Sequence, residues 1–210
     1  MDLLKPRQLD IMQNLAAMLG QKGPVKITTA LLANQCGITE AAIYRHFPSK
    51  RKIYSGLVDF CEQNIFDLIA TITSSDSDYL EKTKKILNLL VNFSEKNPGL
   101  ARLLTREAFS IDETTLDERI GQMMSKIELI IKQNLQKYEQ TTKAKLALPT
   151  ASSANLLLAS AEGFIQQFVR SGFQDAPSKR VKDQFEFLVK ALMANYCLLY
   201  TSDAADDDHC

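Results

Sequence analysis

Thr39, Glu40, Ala41 and Arg45 form a short group of donors and acceptors beside one small residue, of the kind that can meet the edges of base pairs in a DNA groove. Thr28, Thr29, Tyr44, His46 and Lys50 flank that group, and each offers a hydroxyl, ring N–H or cation suited to a phosphate oxygen. Arg45 can serve either purpose. All nine fall within Ile27 to Lys50, ITTALLANQCGITEAAIYRHFPSK, and the intervals between them are as informative as their types.

Those intervals call for two short helices joined by a tight turn. Thr28 can cap a helix through its hydroxyl, and the run from Thr29 to Gln35 has no breaker before Gly37. Ala33, four residues before Gly37, is small enough for close helix contact, and Gly37 tolerates the positive φ of the turn. Ile38 and Ile43 supply apolar contacts inside the unit. Thr39 can cap a second helix over Glu40 to Phe47, which Pro48 then ends. A generic helical hairpin, with Tyr44 in its core, would satisfy the same Ala, Gly and Ile spacing.

The segments around this unit read as helices throughout, and strand-like alternation is missing, so the expected class is all-α. Leu9, Met12, Leu15, Ala16 and Leu19 recur at helical spacing before Gly20, and should pack across the reader. Ser49 starts a longer helix carrying Ile53, Leu57, Phe60, Cys61, Ile65 and Leu68. Ser74 to Asp78 reads as a loop, and Tyr79 to Lys96 as a helix. Asn97 can cap a short next helix with Pro98 in its first position. Ile120 to Leu135 marks another long helix, after which Lys137 to Thr150 reads as a polar connection. Two apolar helices finish the fold, one with Leu157, Ala161, Phe164, Ile165 and Phe168, the other with Val181, Phe185, Leu188, Val189 and Leu192.

Composition sets limits on function. The 210 residues suit one or two small domains, and 45% hydrophobic content is ample for a core. Net charge is zero, but through Gly56 eight basic residues face three acidic ones, an excess of five balanced by the remainder. A basic head on a neutral to acidic body is the footprint expected of a nucleic-acid partner. No apolar run approaches a membrane span of roughly 20 residues, no signal-peptide pattern opens the chain, and a cytoplasmic location is expected. Cys36, Cys61, Cys197 and Cys210 include no CxxC pair, so no metal site or disulfide framework is expected, and Cys36 and Cys61 read as buried thiols. With no phosphate-cradling glycine loop and with Glu107 and Glu162 isolated, no catalytic residue, cofactor or enzymatic activity is expected.

YRHFPSK at Tyr44 to Lys50, preceded by ITTALLA and a GIT turn, resembles the N-terminal DNA-binding domain of the TetR family. EAAIYRHFPSK, NPGLARLLT at Asn97 to Thr105 and FVRSGF at Phe168 to Phe173 together resemble its nucleoid occlusion branch, in order and from about Leu9 to about Tyr196. That resemblance implies a helix-turn-helix head over residues 1–50 and a helical partner-binding and dimerisation body over 51–196. It also implies a homodimer on palindromic double-stranded DNA at the nucleoid, with two dimers able to load side by side on one site. The implied activity is to block assembly of the division protein FtsZ over the chromosome.

In that branch the FtsZ tail docks between the helix after the head and the Tyr79 to Lys96 helix. Phe60, Leu89, Lys96 and Asn97 are the matching positions, and Phe60 and Leu89 could equally be core. The resemblance also implies dimerisation through the last two helices, here through Leu157, Ala161, Phe164, Phe168, Phe185, Leu188 and Leu192; alternatively that stripe fills the core of one subunit. This chain departs from the branch in having only Lys5 and Arg7 as an N-terminal arm, and Asp67 and Leu68 where basic character would favour an acidic tail. The other implied reading is a TetR-type repressor released from DNA by a small ligand. Residues 197–210 match no part of the family; CLLYTSDAADD is expected to be a non-native tail of sequencing-adapter origin.

Overall fold

The computed structural model describes residues 5–23, 27–108 and 114–193. The expected tail, 197–210, lies outside the described residues. Among the described residues the structure is nine α-helices and one short 3-10 turn, with no strand. In order, these are α1 Pro6–Leu19, α2 Thr29–Gln35, α3 Glu40–His46, α4 Lys50–Thr73, α5 Tyr79–Lys96, α6 Pro98–Leu104, α7 Thr114–Thr142, α8 Thr150–Arg170 and α9 Val181–Met193. The 3-10 turn, Pro177–Lys179, sits between α8 and α9.

Local chemistry sets the starts of these helices. Thr28, Thr39 and Ser49 each accept a hydrogen bond at 3.2 Å from the N–H three residues on, at Leu31, Ala42 and Lys52. Asp78 accepts from both Leu80 and Glu81 N–H at 2.9 Å to start α5. Each such cap stabilises its helix by about 1 kcal/mol. Between α2 and α3, Gly37 adopts φ +64, and the Ile38 N–H reaches back to the Ala33 carbonyl at 3.0 Å. The left-handed position is the one that favours glycine, and the turn closes through it.

Packing forms one apolar core that runs from head to body. In the head Ile11, Leu15, Leu32, Ala33 and Ile43 are buried, and Ile53, Leu57 and Val58 of α4 continue the same core without a break. The expected head boundary at residue 50 therefore falls at a helix start rather than at a linker, and the first turns of α4 pack with the head. In the body α5 lies centrally, against α4, α7, α8 and α9, through Ile86, Leu87, Leu90 and Val91.

Three local expectations need correction. α7 continues to Thr142, so the polar stretch from Lys137 is helix, and the connection is only the segment from Lys143. Asn97 occupies the cap position of α6 but makes no side-chain cap; its Nδ2 donates to the Phe93 carbonyl at 2.8 Å and so closes the end of α5 instead. Cys36 is half-buried rather than buried, whereas Cys61 is enclosed, and burial pushes its thiol up to about 12.

The stripe on the last two helices is mostly enclosed within one subunit. Leu157, Ala161, Phe168, Phe185 and Leu192 are at most 5% exposed within their own subunit, and Phe164 and Leu188 are half-buried. Phe164 meets Phe185 edge to face at 5.5 Å. Those five side chains therefore pack in the core of one subunit, while Phe164 and Leu188 keep surface of their own. The large apolar side chains that α8 and α9 leave in solvent are Leu156 at 40%, Phe187 at 71% and Met193 at 38%.

Candidate nucleic-acid interface

α3 presents its outer face to solvent because Ile43, fully buried, fixes the inner one. Glu40, Ala41, Tyr44 and Arg45, at spacings of one and four, therefore share the exposed side, with Thr39 exposed at the helix start. The four residues expected to lie nearest the bases, Thr39, Glu40, Ala41 and Arg45, are thus brought together on one surface, with Tyr44 from the flanking set beside them. Thr39 holds two roles: its oxygen accepts the Ala42 N–H, and its O–H remains able to donate outward.

The flanking residues divide more finely than their types foretell. Thr28 is exposed at the start of α2, where unsatisfied N–H groups favour an anion. Thr29 is only 8% exposed, and its Oγ1 accepts from the Tyr44 hydroxyl at 3.3 Å. That bond ties α2 to α3 and restrains the exposed Tyr44 ring, so Thr29 acts on the surface through Tyr44. His46 is half-buried, and its carbonyl accepts from Gln8 Nε2 at 3.2 Å, linking α1 to the end of α3.

Lys50 lies over the Tyr54 ring, 5.4 Å from Nζ to the centroid, which restrains a long cation at the start of α4. Arg51 and Lys52 are exposed beside it and extend the positive edge. Arg7 is paired with Asp10 at 2.9 Å, so part of the sparse N-terminal charge is spent within α1.

The positions expected to bind a protein partner also converge in part. Phe60, Lys96 and Asn97 line one cavity of about 460 Å³, together with Leu9, Met12 and Leu57. Leu89 does not line it, but it is half-buried on α5 seven residues before Lys96, on the same side of the helix. Phe60 is half-buried, so its ring serves the core and the cavity together. Among the described residues no group of three or more His, Cys, Asp or Glu is placed to hold a metal, and no helix is long and apolar enough to cross a membrane.

Arg102 was not among the expected functional positions. It is a charged residue within the apolar run LARLL, which is the one local signal of an unusual role, and it is 6% exposed.

Residues 11–57 match the family described as bacterial regulatory proteins, tetR family, and residues 77–193 match the SlmA-like, tetracyclin repressor-like C-terminal domain. Nucleoid occlusion factor SlmA of Shewanella woodyi is 42% identical over 89% of this chain and 95% of its own length. The protein of that name from Marinomonas sp. is 39% identical over 90% of this chain and 96% of its own. Among solved structures, the fatty acid degradation regulator FadR of Bacillus halodurans aligns with a TM-score of 0.77 at 16% identity, covering 92% of this chain and all of that one. A regulator FadR from Bacillus subtilis, solved with stearoyl-CoA, gives 0.71 at 15% identity, covering 87% and 98%. The two structures share the fold alone, whereas the sequence relatives match through head and body together. On its exposed reader helix, its two matched domains and those relatives, the chain belongs to the TetR family and, within it, to the SlmA nucleoid occlusion branch.

Proposed function

We propose that this protein is a nucleoid occlusion factor that binds palindromic DNA as a homodimer and, once seated there, captures FtsZ and blocks ring assembly over the chromosome. The observation that carries the reading is the cavity of about 460 Å³ at Phe60, Lys96 and Asn97. Its size falls in the usual range for ligand sites, roughly 300–1,000 Å³. Its walls are mostly apolar, and Lys96 stands exposed at the α5 end of the site. An apolar side chain with an acidic neighbour suits that combination, and a protein tail can supply both.

The position of the cavity supports the coupling of DNA to partner. One wall is α1, in the head; the others are α4 and the α5–α6 corner, in the body. An occupant touching both is sensitive to how the head sits, and any such coupling acts equally in both directions.

For the dimer, the face that fits is the exposed one. On α8, Leu156, Ser160, Gly163 and Gln167 follow one another at helical spacing, and a Cβ at Gly163 would meet nothing within 4 Å. Phe187 and Ala191 lie on one side of α9. Small residues bracketed by Leu156 and Phe187 allow close approach of a second copy, which would place two readers about one helical turn of DNA apart. Two such dimers on one site would follow from a longer palindrome.

The reading is tested by the binding of a fluorescent FtsZ C-terminal peptide, followed by anisotropy. Binding to the DNA-loaded protein that falls at least about tenfold in Phe60→Ala, with DNA affinity intact, is the expected result. Equal peptide binding by Phe60→Ala would place the partner elsewhere. A ligand-released repressor predicts instead that a metabolite displaces DNA while FtsZ polymers are untouched.

A further inference from the structure

The two sequence blocks that the DNA-reading surface leaves unused, NPGLARLLT and FVRSGF, meet at one side chain. Arg102 of α6 donates from Nη1 to the Leu19 carbonyl at 2.6 Å and to the Gln21 carbonyl at 3.0 Å. The Leu19 carbonyl ends α1, where a helix carries partial negative charge and lacks internal partners, and Gln21 follows the Gly20 cap. The guanidinium also lies over the Phe173 ring, 4.9 Å from Cζ to the centroid.

Phe173 is held in place for this contact. It sits at φ +65 just after the end of α8, with its N–H on the Phe168 carbonyl at 3.0 Å and its ring edge to face with that of Phe168 at 5.3 Å. Left-handed backbone is a costly conformation for a bulky residue, and it persists where the surroundings over-determine it. Near the start of α6, Gly99 runs so close to α1 that a Cβ there would lie 1.9 Å from the Ala16 oxygen. α6 thus touches α1 backbone to backbone, and Arg102 joins the end of α1 to the turn after α8.

We infer that Arg102 is the positioning residue that sets the angle of the DNA-reading head on the body. Resting on the dimer proposed above, it thereby sets the separation of the two readers. Arginine is needed because one planar group can reach two carbonyls and also stack on a ring; the compact ammonium of lysine cannot do both. The charged links between α4 and α7 differ in kind, and Lys126 of α7 pairs with Glu62 of α4 at 2.8 Å. Arg119 of α7 pairs with Asp59 and bonds Ser55 of α4, but Asp59 is more than half exposed, so salt screens that pair.

The test uses the full chain and a palindrome selected by the wild-type protein from random DNA, with one or two base pairs then inserted between its half-sites. Each insertion turns one half-site away from its reader, and wild-type affinity should fall at least about tenfold. In Arg102→Met that discrimination should shrink to about threefold or less, while affinity for an isolated half-site changes by less than about twofold. Arg102→Lys and Phe173→Leu should lie between.

Undiminished discrimination in folded Arg102→Met overturns the inference; if that variant does not fold, undiminished discrimination in Phe173→Leu overturns it equally. A second readout needs no dimer: the distance distribution between probes at Ala30 and Lys182 of one chain, with other exposed cysteines replaced and labelled chains diluted. It should broaden in Arg102→Met, and an unchanged distribution contradicts the role of Arg102. If wild type ignores half-site spacing while the distribution broadens, the dimeric reading fails and the positioning role stands.

Discussion

Among the exposed residues of α3 the division of labour is set by what each side chain is already bonded to. Among the described residues Glu40 and Arg45 make no side-chain hydrogen bond or ion pair, and Thr39 retains its O–H for an outward bond. Thr39→Ala together with Glu40→Ala is expected to change which sequences are preferred, measured by selection from random DNA. Equal losses on every sequence would contradict base contact by these two. Lys50 sits at the edge of the unit over Tyr54, suited to a phosphate. Lys50→Ala should weaken binding to all sequences alike and reduce the salt dependence by about one unit of slope. The shared exposed face of α3 was legible in the sequence because its spacing is local. Arg102 was not, because its hydrogen-bond partners lie more than 80 positions away in the chain, and no local pattern encodes a contact of that range.

Helices were legible where apolar periodicity and caps agreed, as in α2, α3 and α5, each with a side-chain cap at Thr28, Thr39 or Asp78. The last two turns of α7 were not, because Gln136 to Thr142 is solvated and no apolar stripe marks its period. On α8 and α9 apolar periodicity carries less information. It identifies a face that must be covered but not whether the cover is the same chain or a second one. Leu157 and Phe185 are covered by their own subunit, and Phe187, on the opposite side of α9 from Phe185, is left in solvent. At this scale the α1–α6 contact makes its own prediction. Gly99→Ala forces a methyl against the Ala16 carbonyl, and should lower stability to urea by about 1–3 kcal/mol, the usual cost of overpacking. Wild-type stability in that variant would mean that α1 and α6 separate easily.

For the molecule as a whole, a continuous core runs from α1 through α4 into α5 and couples head to body. A partner held at Phe60, Lys96 and Asn97 lies beside that joint rather than at a remote end of the body. The zero net charge conceals this arrangement, since a basic head and an acidic body cancel in the total. Phe187→Glu is expected to convert the protein to a monomer by light scattering and to abolish tight binding to a palindrome, with half-site binding kept. A dimer that survives that change would move the interface away from α9.

The central claim is that DNA-bound protein, and not protein alone, stops FtsZ. FtsZ polymerisation followed by light scattering and sedimentation, at fixed protein concentration with and without the selected palindrome, tests it directly. The expected result is strong inhibition with the palindrome, little without it, and little with Phe60→Ala in either case. Polymerisation that proceeds equally with and without DNA-bound protein would contradict the account.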